Sequence, residues 1–482
     1  MYILKAKGGI NLNTSKKLQT ILGNSSDLII RPYKIGKITI ILMQSETLAS
    51  SEFINHFILT HLVHLKLTNK NKETVLFNQL PDNTIKNITG LDQMADYINK
   101  GFALLLYDEN KAIAIEAKAN LDRGINESNS ESTIRGSKDA FNENFNTNIG
   151  LIRRRIRSKD CYLESFYLGT KTKTKVGLMY MHTIAKEENI KTVKEKLQNI
   201  NIDGILDSGS LKSHLEDKQN FFFPTVMATE RPDKVAQALL EGKIIIVTDN
   251  SPYVLMTPSF FVDYLHSPDD YYQKAFNISF IRILRFFAFI ISISTPAIYI
   301  ATITHNQNAI PRDLLLNFTA QRQSVPFSAL TEALFMSISF EILRESDIRK
   351  PAAMGSAVSI LGGLILGDAA VSAGIISPIM IIVISISAIS GLAFSSMEMI
   401  AALRSMRFIM MFLAIAFGLF GLFCGSFILL ASLTTTSTLS LPYLAPITPF
   451  IKEEIKDSII KGKNKKTRKR NPLLTNNIIR GK

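Results

Sequence analysis

The chain has only two cysteines in 482 residues, Cys161 and Cys424. So few exclude a disulfide framework and a cysteine-based metal quartet. His56, His61 and His64 share one predicted helix, but only the 61/64 pair has useful spacing. No Cys or acid completes a site there, so no metal is expected. There is no phosphate-cradling P-loop, no G-x-S-x-G elbow and no H-E-x-x-H. An enzyme and a bound cofactor are therefore not expected. No apolar leader opens the chain, which turns polar by Gly8 and Asn11. The absence of a signal peptide predicts that the polar N-terminal region stays on the cytoplasmic side.

What is present divides sharply along the chain. Charged residues crowd the first 280 positions and the last 32, whereas apolar stretches dominate from Phe286 to Leu430. The formal charge is +14, and KGKNKKTRKR (Lys461 to Arg470) carries seven basic residues and no acid. Such a run reads as a solvated tail or as a contact for anionic lipid headgroups. Nucleic acid is not expected, because no base-stacking aromatics accompany the run.

A spanning helix needs about 20 mainly apolar residues. Four segments qualify: Arg285 to Thr304, Ala352 to Gly374, Ile375 to Phe394 and Phe408 to Ser432. The stretch Ser324 to Leu343 is apolar but carries Glu332 and Glu341, so an interfacial helix, a re-entrant segment or a cavity-lining span all fit. Pro311 to Gln321 reads as interfacial. Four crossings return the basic tail to the side of the N-terminus, as the positive-inside rule favours; a fifth at 324–343 reverses it.

Two features of these spans bear on function. Pro296 sits mid-span, where its freed carbonyl must be satisfied by neighbours; it is either a tolerated kink or a hinge. Glu332 and Glu341 join it as hinge or gating candidates. In the second span, Ser356, Ser359, Gly363, Gly367 and Ala370 fall at steps of three or four and share one small helix face. Close helix packing is one reading. A pore lined by Ser356, Ser359, Gly363 and Gly367, with Asp368 at a mouth favouring cations, is the other.

The polar region alternates strand-like and helical runs. ITIILMQ (Ile38 to Gln44) and VGLMYM (Val176 to Met181) read as strands. Ser50 to Leu65 and Ile190 to Ile200 read as helices. Ala95 to Ala117 aligns without gaps to Ala236 to Pro258, matching Gly101 to Gly242 and Asp108 to Asp249. Glycine suits a helix C-cap and Asp a hairpin turn. The expected architecture is an N-terminal extension (1–25), an α/β subdomain (26–123), a polar linker with a basic helix (124–162) and a related α/β subdomain (163–267). A helical transmembrane domain (268–435) and a basic tail (436–482) complete this multidomain membrane protein. Arg153, Arg154 and Arg155 on the linker helix are expected to be solvated or to contact a partner subunit.

Long strings carry a family resemblance: Arg231 to Ala301, Val325 to Pro351, GSAVSILGGLILGDAAVSAGIISP (Gly355 to Pro378), Arg135 to Ile156 and IDGILDSG (Ile202 to Gly209). Together they resemble the GerA family, the A subunits of bacterial spore nutrient-germinant receptors, from roughly residue 26 to 435. The resemblance implies two cytosolic subdomains, a multispan domain in the spore inner membrane, and permease-like B and lipoprotein C partner subunits. It also implies a homo-oligomeric cation channel answering to nutrients recognised mainly by the B subunit. Asp368 stands where the family often has Gln, which adds a charge beside the proposed pore. An accessory membrane protein of the same family linked to dipicolinate release, a transporter subunit and a non-conducting scaffold are the alternatives.

Overall fold

The computed structural model describes residues 11–479 apart from 37, 69–70, 81–83, 121–130, 132–135, 218–221, 349–362, 364, 452–457, 459, 462–468 and 478. The first α/β module is a five-stranded antiparallel sheet. Its strands are β1 (Leu28–Ile35), β2 (Ile38–Ser45), β3 (Ile85–Thr89), β4 (Phe102–Asp108) and β5 (Lys111–Glu116), in the order β1-β2-β4-β5-β3. β4 is apolar from Phe102 to Tyr107 because both faces of the sheet are covered. Ala103, Leu105 and Tyr107 enter one core, Phe102, Leu104 and Leu106 the other. That alternation is the period of two expected of a strand. Helices α1 (Asn11–Ile21) and α2 (Leu91–Ile98) cover the second of these faces through Leu18, Leu22, Met94 and Ile98.

The second module repeats the plan. β6 (Cys161–Leu168), β7 (Thr174–Met181), β8 (Met227–Thr229), β9 (Ile244–Thr248) and β10 (Val254–Thr257) lie in the order β6-β7-β9-β10-β8, the same topology as the first sheet. Gly101 and Gly242, paired by the internal similarity, both take positive φ at the turn before the central strand (84° and 96°). Asn110 and Asn250 take positive φ in the turns that follow. Helix α3 (Phe145–Arg155) precedes β6 as α1 precedes β1. It is not a solvated linker helix: Phe145, Ile149 and Ile152 lie in the core of the second module, beside α4 (Pro232–Glu241).

A helical half follows. Its main helices are α5 (Ala275–Thr304), α6 (Ala329–Ile348), α7 (Pro378–Gly391) and α8 (Met397–Thr435). Among the described residues, α5 and α8 are long and apolar enough to cross a membrane. The expected segment 375–394 is represented by α7, which is shorter. Of the expected segment 352–374, residues 352–362 and 364 lie outside the described residues. The helix Arg312–Arg322 has no buried residue.

The expectation of one straight span at Phe408 to Ser432 is corrected. Gly418 interrupts α8 with φ 62° and ψ −143°, a backbone conformation open to glycine. Beyond it the chain doubles back: Gly421 lies against Leu413, and Gly425 against Met410 and Leu413. Small residues let the two arms approach closely. At 1.5 Å per residue the arms 397–417 and 419–435 are roughly 32 and 26 Å long. Both ends of this hairpin meet the second module. Glu398 pairs with Lys212 at its start. After its end, Thr438 Oγ1 donates to the Thr225 carbonyl at 2.9 Å and Phe261 N–H to the Tyr443 carbonyl at 2.9 Å. The described part of the tail therefore lies on the same side as the modules. Phe261 packs edge-on against Phe289 of α5 at 5.1 Å, so one core runs from the second module into the helices.

Candidate functional site

Three polar clusters interrupt the apolar interior of the helical half. The middle one starts from Pro296. Proline has no N–H, so the Ser292 carbonyl one turn earlier loses its helical donor. That carbonyl is taken by Arg407 Nε at 3.0 Å and Ser387 Oγ at 2.6 Å. Arg407 Nη2 adds bonds to Ser292 Oγ at 3.1 Å and the Ser387 carbonyl at 3.2 Å. Arg407 is only 5% exposed. A buried cation is held here by neutral oxygens from two helices, which ties α5, α7 and the first arm of α8 together. Pro296 is thus a lock point between helices in this conformation.

The second cluster lies farther from the modules. Glu332 on α6 is 1% exposed. Its Oε2 accepts from Ser377 N–H at 3.0 Å and Ser377 Oγ at 2.6 Å, and its Oε1 faces Arg322 Nε at 3.3 Å. The third is nearer the modules. Glu341 Oε2 is shared by Arg404 Nη1 at 2.5 Å and Arg344 Nη2 at 2.9 Å, joining α6 to α8. Glu332 and Glu341 are therefore both paired with arginine, and each joins α6 to a different part of the bundle.

The pore candidates are placed differently. Ser356 and Ser359 lie outside the described residues. Among the described residues, no heavy atom lies within 4 Å of where a Cβ would stand on Gly363 or Gly367, and Asp368 is exposed. No described residue covers this stretch of the small face. At the far end of the bundle, the tip of the α8 hairpin is fastened to the end of α5. His305 Nε2–H donates to the Ile415 carbonyl at 2.7 Å, and Leu419 N–H to Asn306 Oδ1 at 3.0 Å.

The arginines of α3 face inward more than expected. Arg153 reaches across to the first module and meets Asp27 Oδ1 at 2.9 Å and Ser25 Oγ at 2.9 Å. Ser45 and Thr47 complete the cage around Asp27 Oδ2. Burial alone raises the Asp27 pKa, but the Arg153 charge and the three hydroxyls outweigh it and hold it below the usual carboxylate value. Arg155 is bound to Asp139 at 2.6 Å and to Ser137 at 2.8 Å. Arg154 alone of the three is exposed. Through Arg153 this helix forms a joint between the two modules.

The junction of modules and helices is also charged. Asp270 is buried between Arg282 Nε at 3.2 Å and Arg285 Nη1 at 2.9 Å. His266, beside it, donates from Nε2 to the Ser458 carbonyl at 2.6 Å. Burial, then the Arg282 charge, pushes the His266 pKa well below its ordinary value. A cleft of about 230 Å³ separates the second module from the start of α8, lined by Asp207, Ser208, Lys212, Tyr253, Ser396 and Glu398 among others. Among the described residues, no three His, Cys, Asp or Glu side chains are grouped to hold a metal.

Sequence reasoning singled out Pro296, Glu332 and Glu341 but not Arg407, Ser292, Ser387, Arg322 or Ser377. A signal existed for Ser292, since a mid-helix proline names the carbonyl four residues earlier. Nothing local names its partner.

The family model described as Bacillus/Clostridium GerA spore germination protein matches residues 16–473. Spore germination protein KA of Bacillus subtilis (strain 168) is 36% identical over 446 residues, covering 91% of this chain and 82% of that protein. The uncharacterized membrane protein YfkQ of the same strain is 36% identical over 455 residues, covering 94% and 89%. Spore germination protein GerQA of Bacillus cereus is 32% identical over 463 residues, covering 95% and 92%. Among solved structures, the N-terminal domain of the A subunit of the Bacillus megaterium spore germinant receptor GerK3 is similar at 26% identity and a TM-score of 0.39. It covers 54% of this chain and 99% of that one.

Proposed function

The chain belongs to the GerA family of Bacillus and Clostridium spore germination proteins, and we propose from that premise that it is the A subunit of a spore germinant receptor. It resides in the spore inner membrane with its modules on the cytoplasmic side, and works with B and C subunits in answering nutrients. Copies of its helical half enclose a cation path that opens at the start of germination.

The observation that carries this reading is the contrast between a filled interior and an open small face. The space between α5, α7 and α8 is occupied by Arg407 and its oxygen cage, and a fixed buried cation there opposes cation passage. Among the described residues, nothing covers Gly363, Gly367 and Asp368 in this way. An acid in an apolar region needs water or a partner, and facing copies supply a shared aqueous path. Phe417, Phe420, Phe423 and Phe427, all more than 60% exposed, suit a lipid-facing surface on the hairpin.

The reading revises the four expected crossings to six. α5 leads away from the modules, α6 and α7 each return, and the two arms of α8 go out and back; the sixth crossing is the expected segment 352–374, of which residues 352–362 and 364 lie outside the described residues. The even number keeps both chain ends on one side.

Substituting Gly367→Leu and Asp368→Asn tests the path. Nutrient-triggered cation release from spores should fall with the first and change its ion preference with the second. Normal release in both variants would reject the proposed lining. The chain is as similar to YfkQ, an uncharacterized membrane protein, as to germination protein KA, at 36% identity each; an accessory role within the family is the second reading. It predicts that deleting the protein slows dipicolinate release with every nutrient, whereas loss of a receptor subunit abolishes the response to particular nutrients.

A further inference from the structure

The two modules share one topology but close in different ways. In the first, the stretch after β2 meets the stretch after β5 of the same module. Ala49 and Lys118 form an isolated antiparallel bridge, Ser50 N–H donates to the Ala117 carbonyl at 2.7 Å, and Ala119 N–H to the Leu48 carbonyl at 2.8 Å. In the second module the equivalent stretch after β7 is Ile184 to Lys186. The chain after β10 does not return to it, but leaves through Pro258 and Phe261–Leu265 towards α5. The vacant position is taken by the far end of the protein. Ala185 bridges Thr475 in antiparallel fashion, and Lys186 N–H donates to the Leu474 carbonyl at 3.0 Å.

The seat is well formed. Leu474 and Thr475 are almost fully buried, and Leu474 packs with Phe260 and Ala445. Arg470 Nε donates to the Leu240 carbonyl at 2.9 Å, and Asn189 Nδ2 reaches the Leu473 carbonyl at 3.4 Å. Gly242 makes room for the incoming backbone, because a Cβ there would stand 3.0 Å from the Leu474 carbonyl oxygen. Its counterpart Gly101 plays the same part in the first module, where a Cβ would stand 2.9 Å from the Leu48 oxygen.

We propose that the second module carries a slot for a peptide turn, and that residues 471–475, folded as a turn in which Leu474 and Thr475 N–H both donate to the Asn471 carbonyl, are its built-in occupant. The segment completes the module through one antiparallel bridge, Ala185 with Thr475, and the bond from Lys186 N–H to the Leu474 carbonyl. The consequence is mechanical. The chain leaving the α8 hairpin is fastened back to the same module from which α5 departs. So few contacts hold a short segment weakly by themselves; covalent attachment supplies the effective concentration that keeps it seated. The closure is therefore releasable, and release frees the tail without unfolding the sheet. None of this depends on a cation path.

Hydrogen exchange of the full-length protein in detergent tests the proposal. Leu474→Asp should accelerate exchange of the Lys186 amide roughly tenfold or more, while β9 amides stay protected. A chain ending at Arg470 should show the same acceleration. A synthetic peptide of residues 469–479 added to that truncated chain at about millimolar concentration, to match the effective concentration of the tethered segment, should restore protection, whereas the same peptide with Leu474→Asp should not. Unchanged exchange at Lys186 in both variants overturns the proposal, as does failure of the peptide to restore protection. If β9 protection also collapses, the decisive measurement is the double variant Ala185→Cys with Thr475→Cys, treated with diamide. An intrachain disulfide is expected; its absence, or a disulfide between copies, overturns the built-in closure.

Discussion

Replacing Gly418 with Ala should unfasten the tip of the α8 hairpin, and the size of the effect follows from two contributions. The backbone there has φ 62° and ψ −143°, which costs an alanine about 1–3 kcal/mol. The added Cβ would stand 2.5 Å from Asn306 Oδ1 and 2.8 Å from His305 Cβ. Asn306 must move, and its 3.0 Å bond from Leu419 N–H is lost. A hydrogen bond of this kind contributes about 1 kcal/mol. The sum is roughly 2–4 kcal/mol, a large part of the stability of an ordinary domain. Gly363 is the internal control, because no described residue lies within 4 Å of its Cβ position. Gly363→Ala should change stability by no more than about 1 kcal/mol, in the stabilising direction. Thermal unfolding of both variants in the same detergent, followed by intrinsic tyrosine fluorescence, compares them directly. A Gly418→Ala protein that melts with Gly363→Ala would refute the hairpin geometry.

Other predictions concern the joints. Asp27→Asn leaves Arg153 buried beside a neutral group and should destabilise the contact between modules by about 3–5 kcal/mol, read as faster hydrogen exchange around residues 25–28 and 153. The folded Asp27 pKa lies below the unfolded value, so its contribution is complete above the ordinary carboxylate range. It is lost as the pH falls through the folded value, and acid should loosen this joint in the wild type but not further in Asp27→Asn. Pro296→Ala restores an N–H that competes for the Ser292 carbonyl, and Arg407 then loses part of its cage. Crosslinking between cysteines placed on α5 and α8 should become less efficient; unchanged crosslinking would argue against the lock. Glu332→Ala removes the acceptor for both Ser377 donors and should cost about 2–4 kcal/mol in detergent unfolding.

The duplicated module was legible because its signals are local. Gly101 and Gly242 sit at matching places before apolar strands, and Asp-containing turns follow both. The strand runs of β2 and β7 are apolar enough to name themselves. Pro296 identified a freed carbonyl because the rule spans only one helical turn. The remainder depends on contacts between residues far apart in sequence. Gly418 within an apolar run reads like any tolerated glycine, so one long span and a hairpin have the same composition. Arg153 on a basic helix resembles a solvated residue until Asp27, from the other module, is brought beside it. Arg407 likewise looked like one more basic residue near a span end. The docking of Leu474 has no sequence periodicity at all, since Lys186, Gly242 and Phe260 lie more than 200 residues before it.

The central claim is that the open small face around Gly363 borders the cation path. A Cys424→Ser background removes the partly exposed native thiol, and Cys161 is buried. Into it, Gly363→Cys places a thiol on the small face and Phe423→Cys one on the outer face of the hairpin. Spores or reconstituted receptor complexes are treated with a charged methanethiosulfonate reagent, and nutrient-triggered potassium release is recorded. The account predicts that the reagent strongly reduces release through the Gly363→Cys protein and leaves the Phe423→Cys protein unaffected. Undiminished release after complete labelling at position 363 would contradict it.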